Sequence, residues 1–176
     1  SVKLFPNYKE NLIIAGSFSK TYSMAGWRIG YSIGFQKVID TMVSIQASTS
    51  TGPPTFCQIA AIEALSFPSR FYQKLKEEFA KRKALAMELC SKTFDVSCND
   101  PEATFYIFPS IKKFKHKGLI KDSISMAGYL LREGLTFVVP SISFGIEDHL
   151  RISFALPQTK MKEGFRRIGQ ALTLLS

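Results

Sequence analysis

Apolar residues recur along the chain at two spacings, one of short runs and one of helical stripes. Asn11–Ser17 (NLIIAGS) is a short apolar run bounded by polar residues and Gly16, which predicts a buried strand. Small and polar residues follow from Ser17 to Gly26, and Trp27–Phe35 (WRIGYSIGF) alternates large apolar side chains with others, predicting a second strand. Lys37–Ala47 places Val38, Ile39, Met42 and Ile45 at helical spacing, and Ser48–Pro54 (STSTGPP) breaks the chain. Thr55–Leu65 reads as an apolar helix ended by Pro68, and Ser69–Ser91 as a long amphipathic helix with Phe71, Leu75, Phe79, Leu85 and Leu89 on its stripe. Further on, Phe94–Val96 and Thr104–Phe108 predict strands, and Ser123–Arg132 a helix stopped by Gly134. Leu135–Val139 and Leu150–Phe154 predict two more strands, and Lys160–Leu175 a closing helix. There is no internal repeat and no low-complexity tract.

This order predicts an α/β protein in two layers of organisation. Residues 1–65 read as the end of a larger α/β domain, 66–91 as a connecting helix, and 92–176 as a compact α+β domain built from a β-β-α-β-β-α unit. Two strands make a poor sheet by themselves. The first piece is therefore expected to belong to a sheet completed by something other than this chain.

Composition narrows the classes. Hydrophobic residues make up 45% of the 176 and charged residues 21%, with fifteen Phe and six Tyr, so a sizeable core is expected and disorder is not. No run approaches the ~18 apolar residues that cross a bilayer. Ser1–Pro6 lacks the basic and apolar regions of a signal peptide, and without an initiator Met the chain reads as trimmed or partial. Three cysteines, Cys57, Cys90 and Cys98, stand in no metal-ligand spacing and are expected to be reduced thiols of a cytoplasmic protein. Two histidines, His116 and His149, are too few for a histidine-rich metal site, and no metal is expected. The net charge of +9 is dispersed, and its densest cluster, Lys112–Lys117, reads as a solvated loop, so no nucleic-acid or membrane partner is expected.

The stretch Ser17-Phe18-Ser19-Lys20-Thr21-Tyr22-Ser23-Met24-Ala25-Gly26-Trp27-Arg28-Ile29-Gly30-Tyr31 carries the chemistry. Two hydroxyls at a strand end run directly into a lysine, and an arginine follows eight residues later between glycines. Hydroxyls with a guanidinium suit a phosphate, because arginine offers a planar fork of donors and a permanent charge. A lysine beside a phosphate site can act as an amine nucleophile on a carbonyl, provided that burial or cationic neighbours keep it neutral. A phosphate-bearing aldehyde such as pyridoxal 5′-phosphate fits such a site. The bland alternative is that Lys20 is a solvated turn lysine and Arg28 a surface ion-pair partner. The Gly-x4-Gly-Lys-Ser/Thr of a P-loop is absent.

Ser17–Tyr31 resembles the lysine signature of the class I/II, fold-type I, pyridoxal-phosphate aminotransferases, the aspartate aminotransferase superfamily. Gln58–Leu65 is similar to the family's Gln-x-Ala-x-x-x-Ala-Leu helix, Pro101–Phe108 to its Phe-Tyr strand, and Leu150–Phe154 to its late arginine strand. The resemblance implies the C-terminal part of a fold-type I transferase, that is, the end of the large domain plus the small domain. It implies amino-group transfer between an α-amino acid and a 2-oxo acid. Lys20 would be the Schiff-base lysine and the proton shuttle at the substrate Cα. Ser17, Ser19 and Arg28 would hold the cofactor phosphate, and Arg151 would pair with the substrate α-carboxylate. Tyr22 and Trp27 read as packing.

The family's pattern is not met everywhere. A carboxylate for the pyridine nitrogen and a tyrosine for the ring hydroxyl are expected upstream of the lysine, and in Ser1–Lys20 the only carboxylate is Glu10, ahead of a strand. The chain therefore reads as the C-terminal half of an aminotransferase, with the other half carrying those groups, and as inactive alone. Ser141-Ile142-Ser143 replaces a glycine-bearing loop, and Ala103-Thr104 stands where a glycine is common, which puts more restricted residues into both turns. A carbon–sulfur lyase of the same fold would share Lys20, Arg28 and Arg151, and a transcription regulator with an aminotransferase-like domain is the binding-module alternative. The Ser48–Pro54 segment holds no arginine to clamp a second carboxylate. The family also implies a homodimer.

Overall fold

The computed structural model describes residues 11–96 and 98–175, with only the backbone of His116 and Lys117. Glu10 and the start at Ser1–Pro6 lie outside the described residues. Two compact units divide the chain at residues 69 and 70.

In the first unit, β1 (Ile14–Ser17) pairs antiparallel with β2 (Gly30–Ile33), Ile14 opposite Ile33 and Ser17 opposite Gly30. Helices α1 (Gln36–Thr49) and α2 (Thr55–Leu65) follow. The unit's core is small. Phe18, Met24 and Ile29 from the β1–β2 connection pack with Cys57, Ala61 and Ala64, which share one face of α2 at spacings of four and three. Around that nucleus much apolar surface is uncovered. Every residue of β2 is exposed, α1 buries none, and Phe56, Ile59, Ile62 and Leu65 of α2 face outward. A two-stranded sheet with open faces and helices apolar beyond their packed stripe are parts of a larger layered arrangement.

The second unit holds the main core. Helix α3 (Ser69–Phe94) supplies Ala86, Cys90 and Phe94 at four-residue spacing. A three-stranded antiparallel sheet has the order β3–β5–β4, from β3 (Tyr106–Ile107), β4 (Val139–Pro140) and β5 (Leu150–Ser153). Helix α4 (Ser123–Glu133) lies between β3 and β4 in sequence, and α5 (Gln158–Thr173) closes the chain with Met161, Phe165, Ile168 and Leu172 on its buried stripe. Asp122 caps α4: its carboxylate accepts from the Ser125 N–H at 2.7 Å while Ser125 Oγ accepts from the Asp122 N–H at 3.0 Å. The Glu147 carboxylate accepts from the Ser123 N–H at 2.6 Å, tying the loop before β5 to the same helix start.

The predicted elements differ from the observed ones where an apolar run serves another purpose. The strand expected at Phe94–Val96 does not form. Phe94 is fully buried as the last residue of the α3 stripe, and Asp95 turns the chain with a left-handed φ of 51°. The strand expected at Leu135–Val139 shrinks to Val139–Pro140. Leu135 adopts a φ of 45°, the Thr136 N–H bonds back to the Leu130 carbonyl, and Leu135 and Phe137 are 73% and 78% exposed. Lys112–Lys117 forms a short 3-10 helix rather than a free loop. Phe114 is buried beneath it, Lys113 pairs with Asp95 at 3.1 Å, and Lys115 pairs with Asp148 at 2.7 Å. No described helix is long and apolar enough to cross a membrane.

Phe94, with no exposed surface, joins α3 to the second core, its ring edge-on to Phe114 at 6.4 Å. Phe94→Ala should cost about 3–5 kcal/mol of unfolding free energy, measured by urea denaturation.

Candidate active site

Four of the five predicted site residues leave one end of the β1–β2 hairpin. The pairing that sets Ser17 opposite Gly30 continues one step into a 3.4 Å hydrogen bond from the Phe18 N–H to the Ile29 carbonyl. Beyond that step the two strands part, one into Ser19 and Lys20, the other into Arg28. Ser17 Oγ accepts from the Ser19 N–H at 3.1 Å, which bends the chain sharply after β1. Phe18 is the anchor of this bend, buried with its ring 5.2 Å from Tyr22 and 5.8 Å from Tyr31. Because Phe18 points into the core, its neighbours Ser17 and Ser19 point the other way. Ser17 and Lys20 are exposed and Ser19 is half-buried.

The return path is also fixed by its backbone. The Ser23 N–H reaches the Lys20 carbonyl at 3.2 Å, and a 3-10 turn spans Ala25–Trp27. Arg28 then takes a left-handed conformation with a φ of 55°, and its Nη1 donates to the Ala25 carbonyl at 2.9 Å. That bond occupies one of five guanidinium donors, and among the described residues no carboxylate pairs with Arg28. The reading of Arg28 as a surface ion-pair partner therefore has no support in the structure. Trp27 packs at 6.2 Å from Phe56, and the two line an open groove with Ser23, Gly26, Arg28, Pro54 and Cys57.

Gly30 makes the hairpin end possible. A Cβ there would lie 2.6 Å from the Gly16 carbonyl oxygen, a backbone atom that cannot move aside. At Gly16 the clash would be with the exposed ring of Tyr31, which can swing away.

Arg151, the fifth residue, sits in the second unit on β5. Leu150, Ile152 and Phe154 alternate into the core, so Arg151 and Ser153 take the opposite face. The guanidinium carbon lies over two aromatic rings, 4.4 Å from the centroid of Tyr106 and 4.6 Å from that of Phe144. Tyr106 is paired with Ser153, which makes it the diagonal neighbour of Arg151 on the same sheet face. Both contacts are made to ring faces, and the N–H donors point outward in the plane of the fork, where a planar acceptor could meet them. No described carboxylate pairs with Arg151. Behind it, Phe108 packs against Phe144 at 6.2 Å and stacks on His149 at 5.5 Å, and His149 is held by a 3.0 Å bond from its N–H to Ser141 Oγ.

The sequence reading did not single out Tyr106 or Phe144 as partners of Arg151. Tyr106 could have been found from strand register, had the pairing been known. Phe144 lies in a 3-10 turn, Ser141–Phe144, with no periodic signal. The two restricted turns are accommodated. Thr104 holds a φ of 74° and its Oγ1 accepts from the Tyr106 N–H at 3.0 Å, while the fully buried Ser141 supplies the hydroxyl that fixes His149.

The family model described as aminotransferase class I and II matches residues 3–168. The chain belongs to the class I and II aminotransferases. A probable aspartate/prephenate aminotransferase of Rickettsia felis is 36% identical over 99% of this chain and 44% of its own length. Among solved structures, the aspartate aminotransferase from Rhizobium meliloti superposes with a TM-score of 0.83 at 29% identity, over 96% of this chain and 43% of that one. An aromatic aminotransferase from Pyrococcus horikoshii gives the same TM-score at 30% identity, over 99% and 46%. The fold is thus that of the fold-type I aminotransferases, and the chain spans less than half the length of the relatives it matches. Family and fold imply dependence on pyridoxal phosphate.

Gly30→Ala should destabilise the hairpin end by about 1–3 kcal/mol, as overpacking against an immovable atom does. Gly16→Ala should be milder because Tyr31 can yield. Amide hydrogen exchange across Ser17–Lys20 should rise in the first variant well above the second.

Proposed function

We propose that this protein transfers an amino group between an α-amino acid and a 2-oxo acid with pyridoxal 5′-phosphate as cofactor. The observation that carries the reading is the convergence of Ser17, Ser19, Lys20 and Arg28 on one hairpin end, inside a chain whose family is defined by that chemistry. The donor set fits the cofactor. Hydroxyls and a guanidinium that pairs with no described carboxylate match a phosphate dianion, and the Lys20 amine lies among them. When bound, the cofactor supplies an electron sink for the carbanion left when the substrate Cα loses its proton.

This chain's residues have separable tasks. Ser17 Oγ accepts from the Ser19 N–H and so keeps its own O–H free to donate to a phosphate oxygen. Arg28, with its backbone fixed and one donor tied to Ala25, presents its remaining N–H groups as a second clamp. Lys20 Nζ is the amine that holds a carbonyl carbon, and the group that takes and returns the proton at the substrate Cα. Arg151 receives the α-carboxylate along the open edge of its fork, and the Tyr106 and Phe144 rings hold the plane of that fork. Fixing the carboxylate fixes the orientation of the Cα substituents, which decides which bond is broken. We place residues 1–65 in the cofactor-binding domain and 92–176 in the small domain, joined through 66–91. The relatives' names favour amino transfer over carbon–sulfur cleavage. The active form is proposed to be a cytoplasmic homodimer.

Incubation with pyridoxal 5′-phosphate, borohydride reduction and peptide mapping tests the lysine. Selective modification of Lys20, abolished in Lys20→Ala with the fold intact by circular dichroism, is the expected result. Modification spread evenly over the other lysines would overturn the assignment. Arg151→Ala should lose about 2–5 kcal/mol of kcat/KM, through KM, with cofactor affinity nearly unchanged. Steady-state kinetics together with cofactor titration would show a loss in cofactor affinity instead if Arg151 had a structural role.

A further inference from the structure

Strands β4 and β5 pair Val139 with Arg151 and Pro140 with Leu150. One step further in the same register stand Ser141 and His149. The Ser141 N–H donates to the His149 carbonyl at 3.2 Å, as an antiparallel pair requires. The return bond is different: the His149 N–H donates to Ser141 Oγ at 3.0 Å. The hydroxyl takes the place of the main-chain acceptor. The chain leaves the strand here and enters the 3-10 turn Ser141–Phe144, which carries Phe144 to Arg151.

His149 is a firm anchor for that turn. Beside it the Ile111 N–H donates to the Asp148 carbonyl at 2.8 Å and the Leu150 N–H to the Pro109 carbonyl at 3.1 Å. The His149 ring stacks on Phe108, and Phe108 packs edge-on against Phe144. Ser141 is fully buried, whereas Phe144 is 45% exposed. Burial therefore does not decide where the Phe144 ring stands; the ties of its turn do. Those ties are the Ser141 pair, a longer bond of 3.4 Å from the Ile142 N–H to Ser123 Oγ, and the closing bond of 3.0 Å from the Gly145 N–H to the Ile142 carbonyl.

We propose that Ser141 is a positioning residue for the substrate carboxylate. Its hydroxyl, bonded to the His149 N–H, sets the turn that holds the Phe144 ring against Arg151, and so sets the plane in which that guanidinium meets an acceptor. The proposal rests on the reading of Arg151 as the partner of the α-carboxylate. Ser141 touches no substrate, being enclosed, and acts through Phe144. Ser141-Ile142-Ser143 stands where the family's loop bears a glycine, and a glycine has no hydroxyl to offer His149. The device is therefore written into this chain's own sequence.

The first readout is the Arg151 Nε–H signal in a proton–nitrogen spectrum, identified by its loss in Arg151→Lys. Protons held over ring faces resonate upfield of those of exposed arginines. Ser141→Ala should move the signal back toward the exposed arginines, and Ser143→Ala, which removes an exposed hydroxyl of the same turn, should leave it in place. The second readout is the absorbance change of bound pyridoxal 5′-phosphate on adding L-alanine, whose small side chain leaves binding to the carboxylate. Ser141→Ala should raise the half-saturating L-alanine concentration roughly tenfold, with the limiting rate and cofactor affinity nearly unchanged. An unmoved Arg151 signal, or an unmoved half-saturation beside a moved signal, would overturn the proposal. No absorbance change in the unmodified protein would count against the functional reading instead, and the Arg151 signal would still decide whether Ser141 positions the arginine. Should Ser141→Ala fail to fold, hydrogen exchange in the unmodified protein decides: the His149 amide should be protected, and exchange at the open-chain rate would sink the proposal.

Discussion

Strand β5 is the constraint on which the second unit depends. It is the central strand of its sheet, paired with Tyr106–Ile107 on one side and with Val139–Pro140 on the other. The alternation of its side chains assigns Leu150, Ile152 and Phe154 to the core. The same alternation, with no freedom left, sends Arg151 to the opposite face. A slip of one residue would bury the guanidinium and expose three large apolar groups. The position of the arginine is thus enforced by the burial of its neighbours, and its plane by Tyr106 and Phe144.

The first unit uses the same logic with a thinner core. Phe18 and Ile29 face inward at the end of the hairpin, and this pair sets the outward direction of Ser17, Ser19, Lys20 and Arg28. Gly30 lets the two strands approach closely enough for that end to form. Yet β2 is exposed throughout and α1 buries nothing, so the hairpin is held within the described chain mainly by one face of α2. A family relationship over nearly the whole chain, at less than half the relatives' length, fits a unit whose outer apolar surfaces belong to a larger sheet and helix layer.

Function and packing meet differently at the two places. At the hairpin end Ser17, Ser19, Lys20 and Arg28 are groups that the core does not use, and the proposed phosphate and carbonyl chemistry falls to them. At Arg151 the aromatic surroundings both pack and orient, and Phe108, His149 and Ser141 extend that support into the loop before β5.

Much of this was legible from the amino-acid order. Helix α2 runs over Thr55–Leu65 as its apolar spacing required, the long helix α3 and the closing helix α5 form where they were expected, although α3 buries Ala86, Cys90 and Phe94 and leaves Phe71, Leu75, Phe79, Leu85 and Leu89 half-buried, and the Ser-Phe-Ser-Lys turn with its distant arginine pointed to a phosphate-bearing aldehyde. Those are local properties, set by periodicity and by the chemistry of neighbouring side chains. Other features depend on which residues meet across long separations. Phe94 looked like the start of a strand because its helical partners, Cys90 and Ala86, count only once the core is assembled. Leu135 and Phe137 looked like a strand because an apolar run does not reveal that its side chains face outward. Register put Tyr106 beside Arg151, and a 3-10 turn added Phe144. The sequence by itself determined the elements and the reactive groups; the tertiary structure decided the neighbours, because only a closed core fixes which side of each element faces another.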